Sequence, residues 1–99
     1  MATPPDRVPL NAMRVFEAVA AHLSFTAAAR ELGVTTAAVS AQIKALEADI
    51  GVPLFRRHTR AVALTQEGAE LLPGVRRGLE ELRRSVELIR RERVGGMLN

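Results

Sequence analysis

The residues that could carry out acid–base or nucleophilic chemistry are few. The sequence has two histidines, His22 and His58, and no cysteine. Neither histidine has a carboxylate nearby in sequence that would suggest a catalytic dyad, and the His-Glu-x-x-His spacing of zinc proteases does not occur. The missing cysteines exclude thiol catalysis, disulfides and zinc ribbons. The sequence therefore predicts no enzyme, no metal site and no cofactor.

Arginine points to a binding function. Only Lys44 is a lysine, so 13 of the 14 basic side chains are arginines. The guanidinium fork suits phosphate and guanine, although genome base composition also explains a preference for arginine. The densest basic cluster is Arg56, Arg57, His58 and Arg60. Such a cluster can contact the minor groove of DNA or its phosphates; the alternative is an edge strand whose charges prevent aggregation.

Small polar and methyl side chains form a second group. Val39, Ile43 and Leu46 recur at helical spacing and predict the buried face of a helix. The opposite face presents Thr36, Ala37, Ser40, Ala41 and Lys44. Hydroxyls can bond to base edges or phosphates, methyl groups can contact thymine methyls, and the lysine suits a phosphate. The alternative for the alanines is ordinary helix-forming sequence.

These side chains need helices to position them. Asn11 is predicted to cap a first helix, and Ser24 a second helix from Phe25 to Leu32. The four-residue link Gly33 to Thr36 leads to a third helix, which ends near Ile50. Two helices joined in this way match a helix-turn-helix, whose second helix enters the major groove of DNA.

A β-hairpin is predicted after the third helix. The strand-like runs are 54–57 and 61–64, on either side of residues 58–60. Because a two-stranded hairpin is marginal alone, it must pack on the helices. The side chains expected to make that contact are Leu54, Val62 and Leu64.

A long final helix, capped by Thr65, carries a regular apolar seam. The seam recurs at 3, 4 spacing and consists of Leu72, Val75, Leu79, Leu82, Val86 and Ile89. Since Pro73, Gly74 and Gly78 disfavour a helix here, the helix is expected only if the seam is covered. We expect a second copy of the chain to cover it; the alternative is that the seam folds back on its own domain.

Composition limits the remaining possibilities. The 99 residues fit one domain, and 47% hydrophobic residues indicate a globular protein with a net charge of +3. The three phenylalanines are the only aromatic residues, too few for a platform that stacks single-stranded nucleic acid. No run of 18 apolar residues predicts a membrane span, and the N-terminus lacks the apolar core of a signal peptide.

An ordered series of motifs resembles the DNA-binding domain of LysR-type transcriptional regulators. The motifs are SFTAAA at 24–29, LGV at 32–34, AVS at 38–40, QI at 42–43, ALE at 45–47, GVPLFRR at 51–57 and LTQEG at 64–68. The opening PLNAMRVFEA at 9–18 is similar to the glycine-cleavage-activator branch of that family. The resemblance covers roughly residues 9–92.

The resemblance implies a regulator that binds double-stranded DNA. Its linker helix would pair antiparallel in a homodimer on promoter dyads, and full-length chains would form tetramers. A small-molecule effector would act through a C-terminal domain of the periplasmic-binding-protein type. The protein would be cytoplasmic and bacterial, without contact with a membrane.

The family's DNA contacts can be placed on this sequence by its motifs. They fall on Thr36, Ala37, Ala38, Ser40 and Ala41 in the third helix and on Arg56, Arg57 or Arg60 in the wing. Thr35 and Lys44 complete the predicted surface. The family often has Gln at the position of Thr36, and Arg or His at that of Ala41. Because these departures remove long polar side chains, readout is expected to depend more on the wing, methyl contacts and DNA shape.

The whole chain is interpreted as mainly α. Residues 1–9 form a flexible arm, 10–65 a winged helix-turn-helix of three helices plus a small hairpin, and 66–93 a dimerisation linker helix. Residues 94–99 are interpreted as the start of an effector-binding domain. The predicted function is sequence-specific DNA binding in transcriptional regulation. The alternative is a protein-interaction module in which the long helix is the active surface and the basic wing is incidental.

Overall fold

The computed structural model describes the backbone of residues 7–98 and the side chains as far as residue 93. In this part of the chain, four helices flank one antiparallel hairpin. The elements are α1 (Leu10–His22), α2 (Phe25–Leu32), α3 (Thr36–Ile50), β1 (Phe55–His58), β2 (Ala61–Leu64) and α4 (Gln66–Leu98). The fold is a winged helix-turn-helix followed by a long helix. Most of the predicted N-terminal arm lies outside the described residues.

The helix-turn-helix begins and ends at the predicted residues. Ser24 caps α2 by accepting a hydrogen bond from the amide of Ala27 at 3.0 Å. Gly33 ends α2 with φ of +69°, in the left-handed region that glycine enters without steric cost. Thr35 caps α3 through the amide of Ala38 at 3.0 Å. Both helix boundaries are therefore confirmed.

The start of α1 differs from the prediction. The helix begins at Leu10, and Pro9 occupies the N-cap position without a side-chain cap. Proline fixes φ near the helical value and has no N–H to satisfy, so the helix can begin directly after it. Asn11 therefore lies within the first turn, where its Oδ1 accepts a hydrogen bond from Arg14 at 3.0 Å.

The core lies between the first three helices, the hairpin and the first part of α4. Phe16 and Val19 from α1 and Val39 and Ile43 from α3 are fully buried. Ala28 and Ala29 of α2 are also buried, and their small side chains let α1 and α3 pack closely against α2.

The first strand of the hairpin lies one residue later than predicted, and the second strand lies at the predicted residues. Phe55 pairs with Leu64 and His58 with Ala61, so the connection is a two-residue turn. Leu54 precedes β1 and is buried in the core, and its amide donates a hydrogen bond to the Glu47 carboxylate at 2.7 Å. Val62 and Leu64 are partly buried against the core, as predicted.

The long helix α4 is anchored at its first turn. Thr65 is buried; its Oγ1 accepts from the amide of Gly68 at 3.0 Å and donates to the Pro53 carbonyl at 2.8 Å. The helix continues through Pro73 to Leu98, five residues beyond the predicted end. It therefore includes most of the segment interpreted as the start of another domain.

The apolar seam of α4 divides into two halves. Leu72, Val75 and Leu79 are buried in the core of their own chain. Leu82, Val86 and Ile89 are 48%, 47% and 58% exposed. The expectation that a second copy covers the whole seam is therefore wrong for the first three residues, because the chain's own domain covers them.

An ion pair fixes α1 against α4 where the two halves of the seam meet. Arg83 donates to Glu17 at 2.7 Å. This hydrogen bond raises the pKa of Arg83 above its ordinary value. The pair lies beside the last buried seam residue, Leu79, so the distal part of α4 projects beyond the domain.

Candidate nucleic-acid interface

The outer face of α3 is open to solvent. Thr36, Ala37, Ala38, Ala41 and Lys44 are exposed, and Ser40 is half-buried. The opposite face is fixed in the core by Val39, Ile43 and Leu46. The predicted division of this helix into a buried and an accessible side is therefore confirmed. Thr35, which is also exposed, has its hydroxyl engaged as the helix cap.

The basic wing stands next to this face. Arg56, Arg57, His58 and Arg60 are all exposed. Alternation along β1 places Arg57 on the same side as the buried Phe55, and Arg56 and His58 on the other side. Arg57 therefore turns towards the helices: its Nη1 donates to Ser40 Oγ at 3.1 Å, and its guanidinium lies 4.1 Å from the Phe25 ring centroid.

Glu47 has a structural role, although its place near the end of α3 predicts a solvated carboxylate. Its Oε2 accepts hydrogen bonds from the amides of Leu54 and Phe55 at 2.7 and 3.3 Å. A carboxylate held by backbone amides makes charge-assisted hydrogen bonds, which are stronger than neutral ones. Glu47 thereby fixes the entry to β1 against α3. The partners lie seven and eight residues further along the chain, so local sequence gives no signal for them.

Glu47→Ala should destabilise the domain. The substitution leaves two backbone amides without their acceptor, and hydrogen bonds to charged groups contribute about 1.5–3 kcal/mol each. Because the bond to Phe55 is long at 3.3 Å, most of the contribution comes from the bond to Leu54, and we expect a loss of about 2–3 kcal/mol in the free energy of unfolding, measured by urea denaturation. Glu47→Gln, which keeps a side-chain oxygen acceptor, should lose less than half as much. Equal losses for the two variants would contradict the assigned contact.

The fold brings one histidine to a carboxylate. His22 Nε2 lies 2.6 Å from Glu31 Oε1, a pair that links the end of α1 to α2. Both side chains are exposed, so neither is in the water-excluded environment that tunes catalytic pairs. Between residues 7 and 93, no three potential ligand side chains are grouped to hold a metal ion. None of the helices there is long and apolar enough to cross a membrane.

An accessible face on the second helix of a helix-turn-helix, beside a basic hairpin, defines the winged helix-turn-helix class of DNA-binding proteins. The family model described as "Bacterial regulatory helix-turn-helix protein, lysR family" matches residues 10–69. The chain belongs to this family.

Two curated relatives are similar to this chain. It is 54% identical over 76 residues to the HTH-type transcriptional activator AmpR of Providencia stuartii, covering 77% of this chain and 26% of the relative. It is 65% identical over 60 residues to the glycine cleavage system transcriptional activator of Escherichia coli K12, covering 61% and 20% respectively. The chain thus spans about a fifth to a quarter of the length of these relatives.

A solved structure shares this fold over most of the chain. The DNA-binding domain of BenM, in a complex with catB site 1 DNA, superposes with a TM-score of 0.79 at 32% identity. The alignment covers 85% of this chain and 94% of that domain.

Proposed function

We propose that the chain is the DNA-reading part of a transcriptional regulator. The N-terminal half of α3 enters the major groove of a duplex, and the wing contacts the adjacent minor groove or its phosphates. The accessible face of α3 beside the basic hairpin carries the proposal. The relatives named as transcriptional activators and the solved DNA complex support it.

The proposed contacts differ in kind along the interface. Thr36 and Ser40 offer hydroxyls to base edges or phosphates, and the methyl groups of Ala37, Ala38 and Ala41 offer apolar contact to thymine. The amides at the start of α3, where Thr35 is the cap, favour a phosphate. Lys44, Arg56 and Arg60 supply charge to the backbone.

Competition binding tests this function. Duplexes are selected from a randomised pool by the chain itself and titrated by fluorescence anisotropy at stated salt concentrations. The chain should bind a selected duplex at least 100-fold more tightly than random duplex, as specific regulators do. Equal affinity for both would reject the proposal. The alternative protein-interaction module predicts no steep salt dependence, whereas phosphate contacts require it.

Lys44→Ala should separate charge from readout. Removing one phosphate contact should weaken binding evenly across sequences. It should also make the plot of log affinity against log salt less steep, by about one unit of slope. The matched variant Ser40→Ala should instead change the base preference at one position of the selected site. An unchanged salt slope for Lys44→Ala would remove this lysine from the phosphate contacts.

Dimerisation is proposed to use the distal half of the seam. Leu82, Val86 and Ile89 form an exposed apolar row on α4. The row continues into an apolar groove of about 540 Å³ between α4 and the start of α1. Residues lining this groove include Val8, Leu10, Met13, Gly74, Gly78 and Leu82. A second copy of the chain, pairing antiparallel along α4, covers the row and places two α3 helices on one duplex.

The remaining functional assignments follow from this role. The chain is proposed to act as a regulator without enzymatic activity and without a cofactor, since both relatives are named as transcriptional activators. It acts in the bacterial cytoplasm, where promoters are accessible. Response to a small-molecule effector is assigned to a C-terminal effector-binding domain, and tetramer formation to full-length chains.

A further inference from the structure

All three aromatic rings of the chain form one contact path that ends on an arginine. The ring centroids of Phe16 and Phe55 are 5.4 Å apart, and those of Phe55 and Phe25 are 5.9 Å apart with the rings nearly perpendicular. The guanidinium of Arg57 lies over the Phe25 ring at 4.1 Å. The path therefore connects the fully buried Phe16 to a cation at the surface.

The same guanidinium also contacts α3, the helix that is proposed to enter the major groove. Arg57 Nη1 donates to Ser40 Oγ at 3.1 Å, across 17 residues of sequence. The ring face and the hydroxyl together restrain a side chain that otherwise loses considerable rotamer freedom on binding. One of the five guanidinium N–H donors is used by Ser40, which leaves donors for an external acceptor. The hydroxyl of Ser40, having accepted this bond, still has its own proton to donate.

We propose that Phe25 is a positioning residue of the DNA interface, which holds Arg57 beside α3 so that Arg57 and Ser40 contact DNA as one unit. The inference rests on the proposed function. It separates Arg57 from Arg56 and Arg60, which make no such contact with α3 or with Phe25 and belong to the outer surface of the wing. The acceptor for the pair is a guanine edge or a phosphate oxygen, both of which match the guanidinium fork.

The position of Arg57 is tested first without DNA. Stacking on a ring shifts the Arg57 Hε proton upfield in an NMR spectrum of arginine side-chain N–H groups. Phe25→Leu should remove this shift, while Phe25→Tyr, which keeps the ring, should retain it. The Hε resonances of Arg56 and Arg60 serve as internal controls and should not move. An Arg57 Hε shift that is the same with and without the ring would overturn the proposal.

A double-mutant cycle then tests the consequence for DNA. Phe25→Leu should weaken binding to a selected duplex at least fivefold in the otherwise unaltered chain and less than twofold in an Arg57→Gln background. In an Arg56→Gln background the fivefold loss should persist. If Phe25→Leu weakened binding by the same factor in the unaltered chain and in the Arg57→Gln background, Phe25 would support only the fold, and the positioning role would be overturned.

The two DNA acceptors are distinguished in the same titrations. If Arg57 contacts a guanine edge, Arg57→Gln should change the base preference. If it contacts a phosphate, the dependence of log affinity on log salt should become less steep by about one unit. If Arg57→Gln changed neither the base preference nor the salt slope, the proposed contact would be overturned. If the unaltered chain did not prefer a selected duplex over a random one, the proposed function would fail, and the NMR measurement would still decide whether Phe25 positions Arg57.

Discussion

Gly68→Ala should produce one of the largest losses of stability of any single methyl addition in this chain. A Cβ at Gly68 would overlap the carbonyl oxygen of Leu54 and lie 2.9 Å from Leu64 Cδ2. The carbonyl belongs to backbone that Glu47 and Thr65 hold in place, so it cannot move away cheaply. Overpacking typically costs about 1–3 kcal/mol and occasionally more, and overlap with a fixed carbonyl places this substitution at the upper end, against a gain of about 1 kcal/mol in helix propensity.

The expected result is a net loss of about 2 kcal/mol or more in the free energy of unfolding. For a domain of this size the melting temperature should fall by about 10 °C or more. Circular dichroism during heating and urea titration measures both. The effect is local to the junction where the start of α4 packs against the hairpin.

Gly74→Ala is the matched control for this substitution. Gly74 is exposed in the same helix, and an added Cβ would meet no atom within 4 Å. Helix propensity alone then predicts a gain of about 0.5–1 kcal/mol. If the two variants changed stability in the same direction, the close approach at Gly68 would not be the cause.

The helix-turn-helix was predictable because its signals are local. Ser24, Thr35 and Gly33 act on amides and dihedral angles within three residues of themselves, so spacing alone locates the ends of α2 and α3. The buried face of α3 was equally local, since period 3.6 places Val39 and Ile43 on one side. These signals also place the exposed face that is proposed to read DNA.

The contacts that join the elements were not predictable in the same way. The partners of Glu47 and of Arg57 depend on how the hairpin lies across α3, which no periodicity encodes. Arg57 was identified only as a member of a basic cluster, and its direction became clear from strand alternation and from the ring of Phe25. Asn11 failed as a cap because the helix already begins at Leu10, directly after Pro9.

The seam of α4 illustrates a different limit. A heptad pattern specifies that one stripe must be covered and not what covers it. In this chain Leu72, Val75 and Leu79 are buried in the core of their own domain, and Arg83 of the Arg83–Glu17 pair follows them on α4. The pattern continues unchanged to Leu82 and beyond, where the chain's own domain no longer buries it.

Leu82→Glu should abolish pairing of two chains and thereby greatly reduce DNA affinity. The side chain is 48% exposed at the first seam position beyond the domain, so a carboxylate there can remain hydrated in the single chain. Pairing would bury that charge against the apolar row of the second copy, which is strongly unfavourable. Stability of the domain should change by less than about 0.5 kcal/mol, as expected for surface substitutions.

Two linked winged helix-turn-helix domains bind about 10²–10⁴-fold more tightly than one domain when both can reach the duplex. The variant should therefore sediment as a single chain at micromolar concentrations and bind a selected two-half-site duplex at least about 100-fold more weakly. Binding to one half-site should be unaffected. Leu88→Glu introduces the same charge at an exposed leucine outside the seam, 57% accessible, and should leave both measurements unchanged. If Leu82→Glu still sedimented as a pair, the distal half of α4 would not be the surface that joins the two copies.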